Sequence, residues 1–117
     1  MKSTFAWLVI LLLATSCGKQ PSPETAAKLS VLGGQIRATA KNVSCQTDAQ
    51  CRRVEYGHFT CQKPLPEVVY SKLDTNEGQL LELVHEYTTL DDSQYEHETG
   101  ICARPTIQPK CVASVCQ

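Results

Sequence analysis

The chain has 117 residues, 11 basic and 12 acidic, for a formal net charge of −1 at pH 7. That length fits one small domain, and a near-neutral balance in which Arg52 and Arg53 are the only basic pair within a stapled segment excludes a nucleic-acid binder. Aromatic residues make up only 6% of the chain while cysteines number 7, so the core is thin and covalent staples are expected to compensate for it.

The first 17 residues have the layout of an export signal. Lys2 supplies positive charge, Phe5–Leu13 is an apolar run, and Ala14-Thr15-Ser16 places small residues directly before Cys17. The run is too short to cross a bilayer, which takes about 20 residues, and it suits the apolar core of a signal peptide. The pattern resembles the lipobox of bacterial lipoproteins, with one departure: Ala14 stands where the family usually has Leu. The resemblance implies that residues 1–16 are removed and that Cys17, acylated, becomes the first mature residue. One acyl chain binds a membrane marginally, whereas two or more anchor it stably. Gly18 follows where an aspartate would resemble an inner-membrane retention signal, which implies the outer membrane, facing the periplasm. The downstream cysteine pattern is similar in general look to cysteine-rich lipoproteins of no assigned activity. The motif implies a location and an attachment; it names no reaction.

Residues 17–25 then read as a lipidated cysteine and a polar, proline-bearing flexible tether, and residues 26–117 as the cysteine-rich domain. Within 26–40, Gly33-Gly34 is expected to interrupt any helix at a cost of about 1 kcal/mol per glycine, leaving a short helix or an irregular segment. Ser44–Gln50 reads as a turn or short helical loop. Cys51–Tyr56 reads as a strand with Cys51, Arg53 and Glu55 on one face and Arg52, Val54 and Tyr56 on the other. Gly57-His58 turns the chain, Pro64 and Pro66 punctuate the next loop, and Glu67–Ser71 is a second strand.

The longest regular element is a helix starting near Asp74, which is expected to cap it with Glu77 completing a capping-box-like pair. Leu80, Leu83, Val84, Tyr87 and Leu90 recur at three- and four-residue steps and form one apolar stripe. Asp91-Asp92-Ser93 is expected to end it, with acids opposing the helix dipole. Ile101–Arg104 and Lys110–Gln117 read as two short strands around Pro105 and Pro109. The fold class is therefore α+β, a small disulfide-stapled domain with one main helix packed on a short antiparallel sheet.

With Cys17 taken by lipid, Cys45, Cys51, Cys61, Cys102, Cys111 and Cys116 remain, an even number that reads as a disulfide framework. Sequence does not choose among their possible pairings. The cysteines fall into two groups, 45–61 and 102–116, and at least one bridge is expected to join them. The spacings Cys-x5-Cys, Cys-x9-Cys and Cys-x8-Cys-x4-Cys are not those of a zinc site, so no metal and no cofactor are expected.

Catalytic signatures are missing from the sequence. His58, His85 and His97 do not form a His-Glu-x-x-His pair, no serine sits in a Gly-x-Ser-x-Gly elbow, and the acids between Asp74 and Glu98 include no EF-hand pattern. The chain is therefore expected not to be an enzyme. It reads as a membrane-anchored lipoprotein of the cell envelope, a binding or structural module that meets the membrane through Cys17 and meets an envelope protein whose identity the sequence does not give. The alternative is a protease inhibitor or small-ligand module presenting the loop Cys61–Pro66, with Lys63 aimed at a trypsin-like pocket.

Overall fold

A computed structural model describes residues 22–95, 102 and 107–117. Five expectations fall wholly or largely outside them: the signal segment, Cys17, the strand at Ile101–Arg104, His97 and the acids Glu96 and Glu98.

Helix α1 (Pro23–Thr39) begins earlier and runs longer than expected. Ser22 is the cap, its hydroxyl accepting from the Thr25 N–H at 3.2 Å. Pro23 occupies the first turn, where its missing N–H is no loss, and Glu24 and Arg37 lie at the dipole-matched ends. Residues 23–25, expected in the tether, are thus helical. Gly33-Gly34 does not interrupt the helix, because Gly33 is buried where α1 crosses a second helix: a Cβ there would stand 3.6 Å from the Tyr87 ring. Loss of helix propensity is offset by close packing at the crossing.

That second helix, α2 (Glu77–Asp92), is capped by Asn76, whose side chain accepts from the Gln79 N–H. Asp74 does not cap it. Its carboxylate instead accepts from the Val43 and Ser44 N–H groups at 3.1 and 2.7 Å, fastening the segment after α1 to the start of α2. The helices run antiparallel: Lys41 bonds Thr75, Ile36 and Leu80 share a core, and Gly33 meets Tyr87. Most of the predicted stripe is packed, with Leu80 fully buried and Leu83, Val84 and Tyr87 against the same core; its last member, Leu90, lies instead in the wall of a surface groove.

Strands β1 (Cys51–Glu55) and β2 (Glu67–Ser71) pair antiparallel with Cys51 opposite Ser71 and Glu55 opposite Glu67. A short 3-10 turn, Asp48–Gln50, leads into β1. The sequence-predicted alternation holds. One face puts Val54, Tyr56, Val68 and Tyr70 against Ile36 and Leu80. The other puts Cys51 and Val69 against Cys45, Cys111 and Cys116.

Residues 110–117, expected as one strand, form a hairpin of their own: β3 (Cys111–Val112) pairs with β4 (Val115–Cys116). Its turn, Ala113-Ser114, has positive φ at both residues, 51° and 66°. That conformation costs about 1–2 kcal/mol per non-glycine residue and persists only where the surroundings impose it. Here they do: Lys110 and Gln117 exchange two backbone bonds, and Ser114 C=O accepts from Cys45 N–H. Asn42 pairs doubly with the Cys116 backbone. The result is an α+β domain in layers: two helices, a two-stranded sheet, and a stapled hairpin.

Candidate functional site

The six framework cysteines form three cystines, Cys45–Cys111, Cys51–Cys116 and Cys61–Cys102. Every bridge joins the early group to the late one, closing separations of 66, 65 and 41 residues. In the hairpin, Cys111 and Cys116 are directly opposed, so both side chains leave the same face and reach Cys45 and Cys51 on the sheet side. Among the described residues, the one cluster with metal-ligand spacing is Cys45, Cys51 and Cys116. All three sulfurs are spent in cystines.

The loop 56–66 connects β1 to β2 and is fixed at several points. Tyr56 N–H donates to Pro66 C=O, and Cys61 is bridged to Cys102. Gly57 has φ +106°, which an L side chain rarely adopts, and a Cβ would stand 3.1 Å from the Asp91 carboxylate. Its N–H donates to Thr88 Oγ1, and the next N–H, of His58, donates to Asp91 at 2.7 Å. His58 Nδ1 donates to Asp92 Oδ1 at 2.7 Å, and the ring stacks on Tyr95, centroids 3.9 Å apart. The two aspartates that oppose the α2 dipole therefore hold the 57–58 turn onto the helix end, and His58 has a structural setting the sequence did not reveal. His85 is exposed on α2.

Two tyrosines are perturbed. Burial, reinforced by the hydrogen bond it donates to Glu77 at 2.8 Å, pushes the Tyr70 hydroxyl far above its usual pKa. Burial first, then the Asp91 charge, raises Tyr87, whose ring meets Tyr56 edge-on at 4.9 Å. Both rings belong to the helix–sheet core. The backbone bond from Ser44, then that from Val43, holds Asp74 below the usual carboxylate range. On the far sheet face, Glu55 and Glu67 stand directly opposite each other. Arg53 bonds both, which removes the like-charge repulsion such a pair carries.

Three of the hollows on the surface are lined by described residues. One, beside Arg53 and Glu67, is walled by Pro64, Leu65, Pro66 and Ile107. A second lies between α1 and the loop, with Leu29, Gly33, Arg37, Tyr56 and Tyr87 in its wall. The third, of about 580 Å³, lies between the first half of α1 and the last turns of α2. Its floor is Ala27, Val31, Leu32 and Leu90, and its rim carries the exposed pair Glu24–Lys28. None of the three gathers a nucleophile, a base and an oxyanion donor.

No protein-family model matches the chain, and no curated protein or solved structure is significantly similar to it. Among the described residues, no helix is long and apolar enough to cross a membrane.

Proposed function

We propose that the chain is a lipid-anchored module of the bacterial cell envelope, held by acyl chains on Cys17 at the outer membrane and presenting a rigid, non-catalytic domain to another envelope protein. One observation carries this reading. Six of the seven cysteines are consumed by one another in three cystines, so the seventh, Cys17, is the odd one out, and it stands at the end of the apolar run with small residues before it. A cystine framework of this density suits an oxidising compartment, and an odd thiol in an exported chain calls for a separate use. Rigidity suits binding, because a preorganised surface has little order left to lose on association.

The inhibitor alternative loses support at one residue. The 61–66 loop is well pinned, but Pro64 follows Lys63. The bond a trypsin-like enzyme would engage thus carries a ring nitrogen with no N–H.

The test is the intact mass of the protein taken from its native membrane, before and after reduction and alkylation. The expected result is residues 17–117 plus lipid, with six thiols appearing only after reduction. An unlipidated mass, or thiols that alkylate without reduction, overturns the reading. Crosslinking in intact cells then identifies the partner.

A further inference from the structure

Among the described residues, the groove between α1 and α2 has an apolar floor and no covering element. Val31 is 61% exposed, and it shares the groove with Ala27, Leu32 and Leu90. All of its described lining residues lie on α1 and α2, so among the described residues the groove belongs to the helical layer. Its position along the chain is the informative point. Six residue steps separate Cys17 from Pro23, where α1 begins. Even fully extended, they reach only about 20 Å. Ala27 lies one turn into the helix and Val31 a further turn, roughly 6 and 12 Å along its axis.

We infer that this groove is a membrane-contact face: the chain, anchored through Cys17, lies with Ala27, Val31, Leu32 and Leu90 against the headgroup–acyl boundary of its own bilayer. The inference rests on the lipid-anchor reading above. The short connection confines the start of α1 to the membrane surface, and of the two hollows lined by the first half of α1 this one has the more apolar lining. The patch is small, too small to hold a free protein on a bilayer. An anchored one needs far less, because the tether makes contact intramolecular, at an effective concentration in the millimolar range. The rim favours a zwitterionic surface over an acidic one: Glu24 and Glu86 outnumber Lys28, which is already paired with Glu24. The hairpin, with Val112 and Val115 exposed, lies across the sheet from the helices.

The test uses single tryptophans in the full chain, since Trp7 is the only native one and leaves with the signal. V31W and V112W replace exposed valines and leave the core intact. Each lipidated protein is reconstituted in phosphatidylcholine vesicles containing brominated acyl chains, and emission is read after co-sedimentation. Interfacial helix faces sit about 5–10 Å into the boundary, so V31W is expected to lose roughly half its emission while V112W keeps nearly all of it. If both variants co-sediment and V31W is quenched no more than V112W, the contact face is overturned and the anchor stands. Emission of V31W that is blue-shifted but unquenched would mean that something other than bilayer lipid fills the groove, which overturns it equally. A protein that neither carries lipid nor co-sediments removes both readings.

Discussion

On one face of the β1–β2 sheet, Tyr56 and Tyr70 pack against Ile36 and Leu80 of the helices. On the other, Cys51 and Val69 pack against Cys45, Cys111 and Cys116. The first layer is held by apolar area and ring contacts. The second has two strands of two residues each and valines turned outward, so it buries little beyond sulfur. Two cystines, the Asn42–Cys116 backbone pair and the bond from Cys111 N–H to Asp48 supply what a side-chain core would otherwise supply. Where a chain has too few large side chains to cover both faces of a sheet, covalent closure of one face lets the other take nearly all of the apolar content.

The sharpest way to break this contrast is to remove Cys51–Cys116 as the pair Cys51→Ala and Cys116→Ala. Loss of a native cystine of this loop size is expected to cost about 2–5 kcal/mol. Hydrogen exchange should show the amides at positions 45, 116 and 117 losing protection before that of Leu80. Equal loss in both layers would mean that the two faces are one cooperative unit. Next in size is Leu80→Ala, expected to cost about 2–5 kcal/mol in urea unfolding and toward the middle of that range, with the hairpin amides unaffected until global unfolding.

A smaller effect concerns Asp74, which fastens Val43 and Ser44 at the junction between the layers. Its folded pKa is depressed, so its stabilisation is fully present above the unfolded value near 4 and is lost as pH falls through the lower folded value. Thermal melts from pH 6 down to 2 should therefore slope more steeply for the native chain than for Asp74→Asn; parallel slopes would refute the assignment. Last is Gly34→Ala. A Cβ there meets nothing nearer than the far end of Arg37 at 4.0 Å, so the variant should gain up to about 1 kcal/mol from helix propensity.

Much of this was legible in the residues because it is local. The alternation of Cys51–Tyr56, the extended Glu67–Ser71 and the stripe from Leu80 to Tyr87 each follow from short periodicities. What was not legible depends on partners distant in sequence. Asp74 has the chemistry of a cap, but its carboxylate is taken by Val43 and Ser44, about 30 residues upstream, and the cap passes to Asn76. Gly33-Gly34 reads as a breaker until a facing helix brings Tyr87 against it. Ala113-Ser114 carries none of the Gly or Asn that such a tight turn normally shows, because bonds from Lys110, Gln117 and Cys45 impose the conformation. The groove on the helical layer could not be read at all, since it exists only once two helices are side by side.

All three bridges run from the segment 45–61 to the segment 102–116, and this has a consequence for how the protein is made. A chain that emerges from its N-terminus exposes Cys45, Cys51 and Cys61 well before any correct partner exists. In an oxidising setting their nearest available partners are one another, and short-range pairs close fast. The native set must then be reached by reshuffling, which takes seconds to hours without a catalyst. Production of this small domain should depend strongly on a disulfide isomerase, and a cell lacking one should accumulate the chain with its first three cysteines crossed among themselves.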